Sequence, residues 1–99
     1  MVTKALLVRL EALPGKEAEL AEFLTGARSI VMEEPGTVAW FALRLGPTTF
    51  GVFDVFPDDA ARDAHLAGGV GQALGPSTGV LFSEPQVEKI DLIADKLPG

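Results

Sequence analysis

Two residues of this chain stand out for the proton chemistry that their types allow. His65 is the only histidine among 99 residues, and its ordinary pKa lies near neutrality, so it can donate or accept a proton. Asp54 lies in the apolar run 50–56, where strand alternation places it on the same face as Phe56. A carboxyl group in such surroundings must be hydrogen-bonded or have a raised pKa, which suits a general base. If the two side chains come within hydrogen-bond reach, they form a proton-handling pair.

Purely structural roles for both residues remain open at this point. His65 falls near the end of a short predicted helix, where the helix dipole favours its protonated form. It would then be a partly exposed histidine with a local hydrogen bond. The structural alternative for Asp54 is an acid paired with Arg9, Arg44 or a backbone amide.

Aromatic and basic side chains nearby are candidates for a substrate site. The rings of Trp40, Phe41, Phe53 and Phe56 could stack on an aromatic substrate, although at strand spacing such residues are more often part of the core. Arg44 is a candidate for orienting an anionic or phenolate oxygen, with an ion pair at the rim as the alternative.

Two further patterns predict less. The glycine-rich segment 68–71 lacks the features of a nucleotide site and is interpreted as a flexible loop at the edge of a pocket. The acidic pairs Glu33-Glu34 and Asp58-Asp59 are interpreted as solvated charges at helix ends. Neither pair has the additional ligand residues nearby in the sequence that a metal site needs.

The composition excludes several classes of function. Fourteen acidic against eight basic residues give a net charge of −6, which argues against binding to nucleic acid or to an anionic membrane surface. The chain has no cysteine and one histidine, so a dedicated zinc or haem centre has few side chains to bind it. No apolar run reaches the roughly 20 residues of a membrane span, and a cytoplasmic protein without a leader is expected.

Hydrophobic periodicity and turn residues predict the elements that must position the candidates. We expect a strand at 4–11, a helix at 16–32, strands at 37–45 and 50–56, a short helix at 60–66, and a last strand at about 86–93. The segment Pro57-Asp58-Asp59 offers an acidic cap for the start of the second helix, which would end at Gly68-Gly69. Residues 70–83 are glycine-rich and are expected to form a loop with a helical turn near 72–74.

The order β-α-β-β-α-β predicts an α+β, ferredoxin-like fold in one domain spanning 1–99, with an ordered core of about 3–93. Two helices would cover one face of a four-stranded antiparallel sheet. The first two strands are apolar on both sides, so the other face would expose a large apolar patch. We therefore predict a homodimer packed sheet to sheet.

Three segments of the chain resemble one known family. They are VRLEALPGKE at 8–17, EEPGT at 33–37 and FDVFPDDAARDAHL at 53–66. In this order and spacing they resemble the antibiotic biosynthesis monooxygenases, a quinol monooxygenase-like family of dimeric α/β-barrel proteins, over roughly residues 3–93. The resemblance implies fold more specifically than activity, because one fold hosts many functions.

That family includes cofactor-independent oxygenases of quinols and polyketide aromatics, haem-degrading enzymes, small isomerases and proteins without assigned chemistry. The haem-degrading branch uses an asparagine, a tryptophan and a histidine at positions that correspond here to Val8, Phe56 and about Leu74. Haem cleavage is therefore disfavoured. The chain contains no tyrosine or asparagine, so the residue set of the polyketide oxygenases is not reproduced either.

The leading hypothesis is a metal-free, cofactor-independent monooxygenase acting on a quinol or another electron-rich aromatic, with Asp54 or His65 as base and the aromatics as walls. The alternatives are a non-catalytic dimeric domain that binds a small ligand or serves as an accessory, and an isomerase of small hydroxyketones. An enzyme predicts an enclosed pocket of several hundred Å³ that contains Asp54 or His65. An accessory domain predicts that side chains fill this space.

Overall fold

The first strand of the chain lies inside the sheet, as its two-sided apolar pattern predicts. The structure, a computed structural model, describes residues 2–98. Its strands are β1 (Lys4–Glu11), β2 (Ala39–Arg44), β3 (Thr49–Phe56) and β4 (Gln86–Asp91). They form one antiparallel sheet in the order β2-β3-β1-β4, which confirms the predicted ferredoxin-like arrangement.

Helices cover one face of this sheet, and the opposite face, which we call the outer face, is left partly open. The side chain of Phe41 is 53% exposed there, and Leu7 and Phe53 are half-buried. An apolar surface of this kind is expected to pack against another molecule. The homodimer through this face stays a prediction.

The first helix, α1 (Glu17–Val31), buries a stripe of side chains at helical spacing. Leu20, Leu24, Ala27 and Val31 are its buried residues, and the first two belong to the main core with residues of β1 and β3. The helix begins one residue later and ends one residue earlier than predicted. Among the described residues, no helix is long and apolar enough to cross a membrane.

The second helix, α2 (Asp59–Leu66), begins one residue earlier than predicted and has the predicted acidic cap. The Asp58 carboxylate accepts a hydrogen bond from the backbone N–H of Ala61 and thereby caps the helix. The two buried side chains of α2 are both polar, namely Arg62 and His65. The Arg62 guanidinium donates to the carbonyl oxygens of Ala5 and Ile90, at 3.2 Å each, and so ties α2 to β1 and β4.

A third helix, α3 (Gly69–Ser77), lies where we expected a loop, so the predictions of two helices and of a flexible segment at 68–71 are wrong. Its three glycines and Pro76 give it a low intrinsic helix propensity. Val70 is its buried residue and packs with Ala27 and Val31 of α1, while Leu74 packs against the main core. Tertiary packing therefore stabilises a segment whose composition predicts a loop.

Gly71 sets the distance between α3 and α2, and this makes a testable prediction. A Cβ atom at Gly71 would overlap the backbone carbonyl oxygen of Leu66, which cannot rotate away. We expect Gly71→Ala to lower the free energy of unfolding by about 1–3 kcal/mol and to speed amide hydrogen exchange in α3. Denaturant unfolding and hydrogen exchange measure the two effects.

The matched control for this substitution is Gly26→Ala in α1. A Cβ atom there meets nothing within 4 Å, so the helix should gain about 0.5–1 kcal/mol of stability. Equal stabilisation by the alanines at Gly71 and Gly26 would contradict the close contact between α3 and α2.

Candidate functional site

Asp54 and His65 form a buried ion pair between the sheet and the helices. Oδ2 of Asp54 lies 2.8 Å from Nε2 of His65, and the two side chains are 1% and 7% exposed. Neither oxygen of Asp54 receives a well-aligned hydrogen bond from a residue that the structure describes. The contact with His65 is therefore the main stabilisation of a carboxyl group held away from water.

The other nitrogen of the His65 ring contacts a second carboxylate. Nδ1 lies 2.5 Å from Oε1 of Glu34, in the connection between α1 and β2. The hydroxyl group of Thr37 donates to the same oxygen at 2.8 Å and lies 3.4 Å from Nδ1. One imidazole ring is thus bracketed by two carboxyl groups, each at hydrogen-bond distance from a different nitrogen.

Glu34 reaches the ring because of the turn that follows it. Gly36 packs so closely on α2 that an added Cβ atom would lie 3.0 Å from the Cβ of Ala61. Ala61 and His65 are four residues apart on α2 and share one helix face. The Pro35-Gly36 turn therefore brings Glu34 to that face. The interpretation of Glu34 as a solvated helix-end charge is wrong, because its side chain is only 20% exposed.

The two acids change the protonation of the histidine. Burial by itself lowers the pKa of His65, but the hydrogen bonds and negative charges of Asp54 and Glu34 outweigh it and raise the pKa to about 9. Burial also raises the pKa of the Asp54 carboxyl group, an effect that His65 partly opposes. At neutral pH the ring is an imidazolium, which can donate a proton, whereas Asp54 is the group suited to accept one.

The structural alternatives that the sequence leaves open do not describe these residues. His65 is buried, and its ring contacts acids from two other elements. Arg9 lies 3.7 Å from Glu88 and Arg44 donates to the carbonyl of Pro47, so neither arginine pairs with Asp54. The alternative in which Asp54 pairs with Arg9, Arg44 or a backbone amide is therefore wrong.

Two of the aromatic candidates share the covered face of the sheet with Asp54. Trp40 stands opposite Asp54 in the register of β2 and β3 and packs against Ala27, Val31 and Val70. The Phe56 ring is fully buried, and its centroid lies 5.2 Å from that of His65. Phe56 therefore packs on the His65 ring, and Trp40 lies across from Asp54 on the neighbouring strand.

Three candidates lie elsewhere. Phe53 and Phe41 pair with each other on the outer face, where alternation turns them away from Asp54. Arg44 is exposed at the far end of β2, with its guanidinium group 4.5 Å above the ring of Phe50. Phe53 and Arg44 therefore lie away from Asp54 and His65, and their part in a substrate site stays a prediction.

The enclosed cavity beside the ion pair is small. Its volume is about 30 Å³, roughly the room that one or two water molecules need. Apart from the two charged residues its walls are apolar or glycine. They consist of Leu6, Val8, Val52, Leu66, Val70, Gly71 and Leu74. This cavity is much smaller than the several hundred Å³ that we expect for the substrate pocket of an enzyme.

Two open grooves lie on the side of His65 that faces Glu34. One has a volume of about 210 Å³ and runs from Glu33 and the Pro35-Gly36 turn to α2. The other, of about 460 Å³, runs along β2 and the end of α1 and is lined by Trp40 among others. Glu34 and Thr37 border both grooves, so the cluster extends from a closed interior to a surface that solvent reaches.

The geometry of the cluster suits proton transfer better than metal binding. The two carboxyl groups contact opposite nitrogens of one ring, so their oxygen atoms diverge. Within residues 2–98, no group of three or more histidine, cysteine, aspartate or glutamate side chains is arranged to hold a metal ion.

Comparison with solved structures finds the same fold over nearly the whole chain. The NE2512 protein of unknown function from Nitrosomonas europaea is 53% identical, with a TM-score of 0.97 over 100% of this chain and 97% of that one. A candidate antibiotic biosynthesis monooxygenase from Caulobacter crescentus is 20% identical, with a TM-score of 0.78 over 94% and 92% of the two chains. Another from Deinococcus radiodurans is also 20% identical, with a TM-score of 0.80 over 97% and 99%.

No protein-family model matches the sequence, and no curated protein matches it. The two 20% identities show a shared fold alone, which confirms the resemblance to the antibiotic biosynthesis monooxygenases at that level. Identity of 53% over the full length is a closer relationship. The chain belongs to the family of the Nitrosomonas europaea NE2512 protein and has the fold of the antibiotic biosynthesis monooxygenases.

Proposed function

We propose that this protein is a cofactor-independent monooxygenase that deprotonates a quinol or another electron-rich aromatic and lets the resulting anion react with dioxygen. The observation that carries the proposal is the buried Asp54–His65 ion pair at the wall of the cavity between sheet and helices. The shared fold with candidate monooxygenases supports the same class of reaction.

In this proposal, the two members of the pair have different roles. Asp54 accepts the substrate proton, because burial has raised the pKa of its carboxyl group and made it a stronger base than an exposed acid. His65 is charged at neutral pH and stabilises the anionic substrate before donating a proton to the oxygen species that forms. Phe56 and Trp40 limit access of water to both groups.

The reaction balances with the substrate as the only reductant. A substrate SH₂ loses one proton to Asp54, and the carbanionic form of its anion forms a carbon–oxygen bond with dioxygen. His65 protonates the peroxide so formed. Loss of the second hydrogen of that carbon as a proton, which returns to His65, breaks the O–O bond, leaves a carbonyl group on carbon and releases hydroxide. The hydroxide takes the proton from Asp54, so that SH₂ + O₂ gives SO + H₂O. Four electrons pass from substrate to dioxygen, and the proton held by Asp54 returns in the water.

Entry of an aromatic ring requires the cavity to open, and α3 is the element suited to move. It has one buried side chain, no side-chain cap at its start, and three glycines with a proline in nine residues. Elements with few buried contacts open locally at the lowest free energy. Displacement of α3 would expose Val70 and Leu74 and admit a substrate beside Asp54 and His65.

The proposal includes a homodimer. A second copy packed on the outer face would cover Phe41 and the half-buried Leu7 and Phe53. This contact lies on the side of the sheet opposite Asp54, so the partner would stabilise the sheet without contacting the ion pair.

A second candidate function is binding of a small ligand without chemistry. The observation that favours it is the volume of about 30 Å³, since the side chains fill nearly all the space in which a substrate would react. The open groove of about 460 Å³ along β2 would then be the binding site.

Oxygen uptake with a panel of quinols and phenols, in metal-free buffer, tests the proposal. We expect uptake by the wild type with at least one compound, and a loss of about 10²–10⁴-fold in kcat for Asp54→Asn, because the amide cannot accept the proton. The matched control is Asp63→Asn, which removes an exposed carboxyl group from α2 and should leave kcat unchanged.

The outcomes separate the candidates. Binding of panel members without uptake would favour the ligand-binding protein, and a rearranged product without uptake would favour an isomerase of hydroxyketones. Equal activity of the wild type and Asp54→Asn would overturn the assignment of the base.

A further inference from the structure

The contact between Glu34 and His65 has features of a built interaction. Oε1 of Glu34 is 2.5 Å from Nδ1 of His65 and also accepts a hydrogen bond from Thr37. The backbone N–H of Thr37 bonds to the carbonyl oxygen of Glu34, which closes the turn. The Thr37 hydroxyl group thus holds the carboxylate and the Thr37 N–H holds the backbone of the turn, whereas a surface acid without partners would have neither bond.

The ring can meet Asp54 properly in only one orientation. Nε2 must face the carboxylate on β3, and a rotation of the ring about its bond to Cβ would carry Nε2 away from it. A buried histidine keeps one orientation when the nitrogen on the opposite side is also bonded. Glu34 occupies that opposite side, 31 residues away along the chain.

We propose that Glu34, held by Thr37, is a positioning residue that fixes the His65 ring with Nε2 toward Asp54 and maintains its charge. This inference rests on the proposed function for its catalytic meaning, since Glu34 acts through His65 and not on the substrate. The pair Asp54–His65 is thereby extended to a three-residue unit whose outer carboxyl group lies at the edge of two grooves.

The charged groups around His65 come from three elements. Asp54 faces the ring from β3, and Glu34 faces it from the α1–β2 connection, with Glu33 lining the same groove. On its own helix, the Arg62 guanidinium is bonded to Asp59 and to backbone carbonyls. The helix α3 contributes no charged residue. Glu34 is thus the charged group whose removal should change the ring most without touching Asp54.

The test measures the pKa of His65 by NMR, where a single histidine makes the assignment unambiguous. We expect Glu34→Gln to lower that pKa by about one to three units from its value of about 9, because a negative charge at hydrogen-bond distance is lost. The pKa of the alkaline limb in the pH profile of kcat should fall by the same number of units, and KM should stay unchanged. The matched control is Glu33→Gln, whose exposed side chain makes no hydrogen bond or ion pair with His65.

The same measurement on Glu34→Ala adds a rescue. Removal of the side chain leaves room next to a groove of about 210 Å³, and formate that restores the pKa of His65 would support a role for the carboxylate itself. Equal shifts in Glu34→Gln and Glu33→Gln, or none in either, would overturn the inference. Because the NMR titration needs no substrate, this result is independent of whether the wild type consumes oxygen.

Discussion

Replacement of His65 by leucine is expected to lower the free energy of unfolding by about 3–5 kcal/mol at pH 7, the cost of leaving a buried charge without its partner. Asp54 is 1% exposed, and its contact with the imidazolium is its principal interaction with charge. Leucine would keep apolar contact with Phe56 but offers no hydrogen-bond donor. Urea unfolding followed by the fluorescence of Trp40, the only tryptophan, measures the effect.

The double variant Asp54→Leu with His65→Leu is the control for this prediction. Replacement of both members of a buried pair by apolar side chains is often neutral, so most of the lost stability should return. The loss of unfolding free energy in His65→Leu should also become smaller in acid. The pKa of Asp54 is raised, so its carboxyl group becomes neutral at a higher pH than an ordinary aspartate does. A single variant that loses less than the double variant would show that the pair contributes packing and not charge compensation.

The face of the sheet on which the site lies could be predicted from the sequence. Alternation along 50–56 places Asp54 with Phe56, and the register of β1 and β3 sets it opposite Leu6 on the covered face. The same rule excludes Phe53 from the site, since it is one residue away and points outward. The aromatic type of Phe53 suggests a substrate site, but its position in the alternation is the stronger indicator.

The third helix could not be predicted, because local preference and tertiary contacts disagree there. Glycines and a proline make the segment 69–77 a poor helix in isolation. Val70, Ala73 and Leu74 have helical spacings of three and four residues, but this pattern is less than two turns long. Its helical structure depends on contacts with α1 and the core that no short window contains.

Glu34 was missed because its partner lies far away in the sequence. An acid at the end of a helix is usually solvated, and the residue before a proline leaves the helical conformation. The useful signal is the combination of Pro35-Gly36 with Ala61 and His65 at helical spacing, which allows a tight turn to pack on one helix face. Such a signal indicates a contact only when the positions of both elements are known.

The stability of the protein should fall as the pH rises from about 6.5 to about 9. The folded state holds the pKa of His65 at about 9, above the unfolded value of about 6.5, so the folded protein binds the proton more tightly. The resulting stabilisation is fully present below pH 6.5 and is lost as the ring deprotonates in the folded state. A shift of this size corresponds to about 3 kcal/mol. Urea unfolding at pH 6, 7.5 and 9.5 measures it.

The double variant Asp54→Leu with His65→Leu identifies the pair as responsible for this dependence, because it also removes the Asp54 carboxyl group, whose pKa is raised by burial and would rise further without His65. Its free energy of unfolding should be nearly constant over the same range, because the remaining groups with shifted pKa values do not titrate there. Glu11 and Asp91 titrate in acid, and Lys4 above pH 10. If the wild type were equally stable at pH 6 and pH 9.5, folding would leave the pKa of His65 near its unfolded value of about 6.5, and the ring would be mostly neutral above pH 7. The ring could then accept a proton, and the roles of acid and base within the pair would be reversed.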